Sequence, residues 1–244
     1  MEPIYRQKIQ IPSIATDCYD RLKTSMLLAY IQEVSGAHCT ALGVGNPENA
    51  GRRLFWAVSR HRVQITRLPK AHETISMETW PCPTSRVAFP RSTVACDAAG
   101  EELFRSISLW ILMDAETRTM VLPGRSGVNV QGLLTGNELT VPGSMAPSNM
   151  ERSTRRSVNF TDLDVNGHMN NTQHLNWVDD LLPSSFHREH PAKEFVICYL
   201  NEAREGQTVE MNWRLDRDLQ VDAHWQDPED PGKFHRIFSA RVLY

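Results

Sequence analysis

The sequence predicts an α+β fold in which one arrangement occurs twice: a strand, a helix, and then four or five antiparallel strands that form a sheet wrapped around the helix. Three observations support this prediction. The order of the predicted elements repeats, short residue matches recur between the two halves, and a stretch rich in glycine and proline separates them. With 244 residues, the chain has room for two fused repeats of about 120 residues each.

The composition is that of an ordinary globular protein, with 41% apolar and 23% charged residues. A net charge of −3 argues against a nucleic-acid-binding protein. The longest apolar run, Met26 to Ile31, is far shorter than the roughly 20 residues that span a bilayer. The segment that begins at Glu2 lacks the features of a signal peptide. Five scattered cysteines without a CxxC pair favour reduced thiols, and hence a cytoplasmic protein.

In the first copy, polar and apolar residues alternate over 3–12 and predict a strand. From Leu22 the apolar residues recur at helical spacing, until Gly43 and Gly45 end the predicted helix. The segment 103–113 is apolar on both faces, so its strand should lie in the interior of a sheet. The predicted strands after the helix lie near 55–66, 72–80, 86–97 and 102–113.

The second copy follows a connector. Residues 123–149 have no periodicity and contain many glycines and prolines. After them we expect a strand over 152–158, a helix from about Asn171 to Leu182 that Pro183 ends, and strands near 194–201, 207–215, 219–226 and 233–243. The predicted organisation is an N-terminal repeat (1–123), a connector (124–150) and a C-terminal repeat (151–244).

Two matches align the copies. Thr16-Asp17 corresponds to Thr161-Asp162, and the segment from Lys70 corresponds to that from Arg204. The spacing between the copies falls from 145 to 134 residues between these matches, which predicts a helix 11 residues shorter in the second copy.

The densest polar cluster lies in the loop before the second helix. Asp164, Asn166 and His168 occupy every second position there, so in an extended loop they would point the same way. Asn170 or Asn171 could cap the helix, whose first-turn N–H groups attract negative charge. A carboxylate, an amide, an imidazole and a helix N-terminus in one place can orient water and stabilise an oxyanion.

Other interpretations compete. The pattern D-x-D-x-N-G from Asp162 begins like an EF-hand calcium loop, but position twelve is Gln173, which cannot supply a bidentate carboxylate. A capped turn whose polar side chains only satisfy backbone groups is a further alternative. His187 and His190 are spaced like a metal pair, yet they lie in a predicted linker between prolines with no other ligand nearby.

From Asp162 to Asn171, with Trp177 six residues on, the sequence resembles the D-L-D-x-N-x-H-x-N-N…W signature of acyl-acyl-carrier-protein thioesterases, the plant FatA/FatB enzymes and their bacterial relatives. The segment 199–203, YLNEA, is similar to the family's second block, Y-R-R-E-C. The resemblance covers essentially the whole chain and implies a tandem double hotdog, with antiparallel sheets that each wrap around a long helix. Because no plastid transit segment precedes residue 1, we expect the bacterial branch.

The resemblance implies a catalytic network of Asp164, Asn166, His168 and Glu202. Ala203 replaces the family's cysteine, which leaves a carboxylate-activated water as the nucleophile. Either Glu202 or His168 would take the proton, and the sequence does not decide between them. Cys198 lies in an apolar run, so we expect a buried structural thiol there.

The first repeat is expected to be catalytically silent, because Tyr19, Arg21 and Lys23 stand opposite the three motif positions. Its apolar helix and the Phe55-Trp56 strand are candidates for an acyl-chain pocket, or else they are simply core. The helix residues concerned are Met26, Leu27, Tyr30, Ile31 and Val34.

The implied activity is hydrolysis of a fatty acyl-carrier-protein thioester to free fatty acid and carrier thiol. The resemblance implies no metal and no organic cofactor, an acyl carrier protein as partner, and neither nucleic acid nor membrane; a homodimer is a possible assembly. An acyl-CoA thioesterase of the same fold and a non-catalytic acyl-binding sensor are the alternatives. Three basic groups could be solvated strand faces or could dock the acidic carrier: Arg52-Arg53, Arg60-His61-Arg62, and Arg152 with Arg155 and Arg156.

Overall fold

The computed structural model describes residues 2–146, 149–230 and 232–244. The chain divides into two compact units, Met1–Pro142 and Gly143–Tyr244. Each unit contains one antiparallel sheet and short connecting helices, as the α+β prediction requires.

The sheet of the N-terminal unit has the strand order β1-β3-β4-β5-β2, and a short β6 pairs with β5. All neighbours are antiparallel. The prediction that the strand over 103–113 is interior is confirmed, because β5 lies between β4 and β2. The strands are β1 (Tyr5–Gln10), β2 (Leu54–Ile65), β3 (Thr74–Pro81), β4 (Phe89–Cys96), β5 (Glu102–Asp114) and β6 (Met120–Val121); the helices are α1 (Thr24–Ala41), α2 (Asn46–Ala50) and α3 (Pro123–Ser126).

The C-terminal unit repeats this topology with the order β7-β9-β10-β11-β8. Its elements are β7 (Arg152–Ser157), α4 (Gln173–Asp179), α5 (Ser184–Glu189), β8 (Glu194–Tyr199), β9 (Thr208–Leu215), β10 (Asp218–Gln226) and β11 (Phe234–Leu243). The expectation that His187 and His190 lie in a linker is wrong, because 184–189 form α5. Pro183 cannot continue α4, but its extended backbone precedes the first turn of a new helix.

Helix α1 lies against β1 and β3 and buries one apolar face. Leu27, Leu28, Ile31 and Val34 are fully buried, at the spacing that places them on one side of a helix. Burial of each such side chain stabilises the fold by about 1.5–3 kcal/mol. The other residues proposed for the acyl pocket are half-buried; they are Met26, Tyr30, Phe55 and Trp56.

The two units share the same turn before their first helix. The N–H of Asp17 donates to the carbonyl of Arg21 (2.7 Å), as that of Asp164 does to His168 (2.8 Å). This equivalence is an offset of 147 residues, so the predicted match of Thr16-Asp17 with Thr161-Asp162 is wrong by two positions. The error arises because Asp162 caps the short 3-10 helix before the turn, whereas Asp17 lies within the turn.

At the strand ends, the predicted offset of 134 is confirmed. Thr66 and Arg67 both donate backbone N–H groups to the carbonyl of Leu103, and residues 200 and 201 do the same to that of Ile237. Glu202 therefore corresponds to Leu68 in the first unit. The helix α1 has 18 residues and α4 has seven, so the predicted difference of 11 residues is confirmed.

The predicted basic groups have partners within the fold. The half-buried Arg60 donates to the carbonyl of Pro142 (2.9 Å), so the interpretation of this group as a solvated face is wrong. Arg155 pairs with Glu210 and Arg156 with Asp180, at 2.8 and 2.7 Å. Exposed pairs of this kind contribute little to stability, but they neutralise the charge that a docking partner would meet.

Candidate active site

Asp164 organises the polar loop into a tight turn. Its Oδ1 accepts hydrogen bonds from the backbone N–H groups of Asn166 (2.8 Å) and His168 (3.3 Å), and its Oδ2 accepts from the Asn166 amide (3.3 Å). Gly167 adopts φ +73° at the turn, where a left-handed residue is needed. The expectation of an extended loop is therefore wrong: local hydrogen bonds to Asp164 close the chain on itself instead.

The structure brings His168 and Glu202 together. The Nε2 atom of His168 lies 3.2 Å from Oε2 of Glu202. Backbone pairing holds the two segments in register, because the N–H of Met169 donates to the carbonyl of Ala203 (2.8 Å) and His168 forms an antiparallel bridge with Arg204. The His168 side chain is 17% exposed and that of Glu202 is 45% exposed, so the pair is supported by protein and open to water.

The four residues expected to be catalytic thus fall into two linked pairs. Asp164 contacts Asn166 directly and fixes the backbone of His168, and His168 contacts Glu202. The exposed Asn166 side chain carries an amide group that can donate a second hydrogen bond outward. The arrangement contains a carboxylate base, an imidazole and an amide donor, the set that hydrolysis of an acyl group requires.

The start of α4 differs from expectation. Thr172 is the N-cap, and neither Asn170 nor Asn171 caps the helix. The Oδ1 of Asn170 instead accepts from the N–H and the hydroxyl of Thr172, both at 2.9 Å, so this side chain closes a turn before the helix begins. Because α4 begins only at Gln173, its N-terminus does not lie at Asn170-Asn171.

Two buried side chains that the sequence reasoning did not assign to the site converge on the carbonyl of Asn171. The Tyr199 hydroxyl donates to it at 3.0 Å, and Nδ1–H of His174 donates at 3.3 Å. Burial lowers the pKa of His174 to about 4 and raises the pKa of Tyr199 well above 10.0. Polar residues at helical positions otherwise occupied by core side chains are the sequence signal for such supports.

Cys198 is buried, as predicted, and its Sγ faces the carbonyl of Gly143 at 3.8 Å. Ala203, beside Glu202, is also buried. Cys198 is the only cysteine in the sequence from Gly143 to Tyr244. No thiol of this unit is therefore presented with Glu202.

Metal binding finds little support at the turn. The carboxylate of Asp162, the first position of the calcium-like pattern, accepts the backbone N–H of Asn159 at 2.9 Å as part of a capping box. Over residues 2–146, 149–230 and 232–244, no three His, Cys, Asp or Glu side chains are grouped to hold a metal ion.

A helix packed against an antiparallel sheet, built twice with one topology and with a His–Glu pair in the second copy, defines a tandem double-hotdog protein. The chain belongs to the acyl-ACP thioesterase family. The family's N-terminal domain model matches residues 2–122 and its C-terminal domain model matches residues 146–233. Within the described part of the chain, no helix combines the length and apolarity needed to span a membrane.

The chain is similar in sequence to plant relatives. It is 23% identical over 232 residues to the acyl-[acyl-carrier-protein] hydrolase FATB3 of Cuphea viscosissima, covering 89% of this chain and 56% of that protein. It is 26% identical over 196 residues to the dodecanoyl-[acyl-carrier-protein] hydrolase of Umbellularia californica, covering 73% and 51%. The chain therefore spans about half the length of the curated relatives that it matches.

Solved structures show the same fold. An acyl-ACP thioesterase from Bacteroides thetaiotaomicron superposes with a TM-score of 0.88 at 19% identity, covering 99% of this chain and 97% of that one. The 12:0-ACP thioesterase from Umbellularia californica superposes with a TM-score of 0.81 at 20% identity, covering 100% and 97%.

Proposed function

We propose that this protein hydrolyses the thioester of a fatty acyl-acyl-carrier protein to free fatty acid and carrier thiol, in the cytoplasm, with water as the nucleophile. The observation that carries the proposal is the 3.2 Å pair of His168 and Glu202 on a turn organised by Asp164. Family membership and the names of the relatives support the substrate class.

Glu202 is the proposed general base. In a neutral His168, Nε2 donates its proton to Glu202 Oε2 and cannot accept another, so the carboxylate is the group able to take a proton from water. Its 45% exposed side chain leaves room for that water. His168 orients the carboxylate in this scheme.

Asn166 and Asp164 act on the carbonyl side of the reaction. The Asn166 side chain is exposed at the turn, and one of its N–H groups is occupied by Asp164 Oδ2. Its remaining N–H group would donate to the thioester oxygen as negative charge develops there. Asp164 holds the amide and the His168 backbone in place, so it is a positioning residue.

The N-terminal unit is proposed to hold the acyl chain and to be catalytically silent. Arg21 takes the position equivalent to His168 and Leu68 that of Glu202, so neither the imidazole nor the base has a counterpart. The half-buried side chains of Tyr30 and Trp56 supply apolar surface for an alkyl chain.

The deciding experiment compares Glu202→Gln with Cys198→Ser, using acyl-carrier-protein and acyl-CoA substrates and detection of the released thiol. We expect Glu202→Gln to lower kcat by at least about 100-fold with little change in KM, because it removes the base and keeps the shape. Cys198→Ser should stay within a few-fold of the parent protein.

Three outcomes would contradict parts of this proposal. An acyl-enzyme trapped on a cysteine would exclude direct attack by water. Equal efficiency on acyl-CoA at every ionic strength would replace the carrier protein with coenzyme A as the substrate carrier. A parent protein that binds acyl-carrier protein without releasing thiol would be an acyl sensor.

A further inference from the structure

A band of buried polar side chains crosses the α1-facing side of the N-terminal sheet. Arg91, with 5% exposure, lies opposite Ser108, and the buried Thr93 lies between Thr79 and Ser106 in the strand register. Residues directly opposite in antiparallel strands share one face, so these side chains form a continuous patch. The face is the one beneath α1, since the Arg91 guanidinium contacts two residues of that helix.

The charge of Arg91 has only neutral partners. Its Nη1 donates to Nδ1 of His38 (3.0 Å) and to Oγ1 of Thr79 (3.4 Å), and its Nη2 donates to Sγ of Cys39 (3.4 Å). The salt bridges found in the described part of the chain do not include Arg91. A buried guanidinium without a carboxylate is costly, because the protein does not replace the water that solvated its charge.

The same patch contains donors that lack acceptors. Because Nδ1 of His38 accepts from Arg91, the ring proton is on Nε2, which has no hydrogen-bond partner within normal geometry in the described residues. The hydroxyl of Ser106 likewise has none there. Burial and the Arg91 charge lower the pKa of His38 to about 4, against a smaller opposing effect of the Glu2 backbone, so the ring stays neutral. The patch therefore offers a cation and spare donors, the complement of an anion.

Apolar surface adjoins this patch. Phe89, two residues before Arg91 on the same strand, packs in a cluster with Val44, Leu54 and Leu112. Cys39, Trp56 and Trp110 pack against that cluster and remain partly exposed. A cation next to partly exposed aromatic and aliphatic side chains suits a molecule with an anionic head and an alkyl tail.

We propose that the N-terminal unit binds a free fatty acid, with its carboxylate on Arg91 and its alkyl chain along the Phe89 cluster. The carboxylate supplies the missing countercharge, and the fork of guanidinium N–H groups matches its two oxygens. This binding goes beyond the proposed hydrolysis, which uses the C-terminal unit. It requires no chemical step and can be measured without turnover.

Calorimetry on the full chain tests the proposal with decanoate, decanol and acetate. We expect decanoate to bind at least about tenfold more tightly than decanol, the effect of one charge-assisted hydrogen bond. Acetate should bind too weakly to detect, because it lacks the chain. Arg91→Met should remove the preference for decanoate over decanol, and Arg62→Met, which keeps the buried patch, should retain it.

Equal affinity for decanoate and decanol would overturn the proposal, as would acetate binding as tightly as decanoate. Cys39→Ala provides a second test that leaves Arg91 in place. Unchanged decanoate affinity in this variant supports the proposal, whereas a tenfold gain would mean that an ionised Cys39 is the countercharge and would overturn it. Thiol release measured on the same preparations separates this result from the proposed hydrolysis, since failure of one leaves the other intact.

Discussion

Acid should destabilise this protein through histidines that are buried in neutral form. Burial lowers the pKa of His174 to about 4 and that of His61 to about 3, from 6.5. Below pH 6.5 the unfolded chain binds protons at these rings and the folded chain does not. The stability they confer is therefore fully present above pH 6.5 and is lost as the pH falls toward 4.

The magnitude follows from the two pKa values. For His174, a pKa near 4 in the folded state and 6.5 in the unfolded state costs about 2 kcal/mol of unfolding free energy between pH 7 and pH 5. For a chain of this size, that corresponds to about 5 °C in the melting temperature.

The assay is thermal unfolding followed from pH 7 to pH 5 in the parent protein and in His174→Phe. The variant keeps an aromatic ring between Tyr199 and Phe238 but cannot titrate, so its loss between the two pH values should be smaller by about 2 kcal/mol. Leu175→Ala, at a buried position on the same helix, is the control and should lower stability equally at both pH values. A His174→Phe protein with the full parental pH dependence would refute the reasoning.

Two glycines carry further predictions. An added Cβ at Gly132 would overlap backbone atoms of Cys82 and Pro83, so Gly132→Ala should displace the connector and increase its cleavage by protease, whereas Gly124→Ala has open space and should not. Gly167 has open space but φ +73°, so Gly167→Ala should cost about 1 kcal/mol in chemical denaturation and Gly167→Asn distinctly less, because asparagine tolerates the left-handed region. Equal effects of the two substitutions at either comparison would contradict the stated cause.

The strands and the two main helices were predictable because their patterns extend over many residues. Helical spacing from Leu22 and the doubly apolar segment 103–113 each integrate ten or more positions, so a single substitution does not hide them. Helix α5 was missed because six residues between two prolines contain too few turns for a periodic signal.

The site was harder to predict than the fold. Its residue types came from a family resemblance, but spacing alone suggested an extended loop, since it does not register that Asp164 accepts two nearby backbone N–H groups. The contact between His168 and Glu202 depends on a backbone bond between Met169 and Ala203, which are far apart in sequence. Likewise, Arg60 reads as a surface charge until the connector that it binds is placed.

The turn shared by the two units separates architecture from chemistry within one molecule. Asp17 accepts the N–H groups of Tyr19 (2.8 Å) and Arg21 (3.0 Å), as Asp164 does in its own turn, in a unit that has neither the imidazole nor the base. The aspartate is thus a fold requirement that outlived the loss of function after duplication. The N-terminal turn remains an empty scaffold for protein engineering, in which Arg21→His with Leu68→Glu would place a second His–Glu pair on a backbone already shaped to hold it.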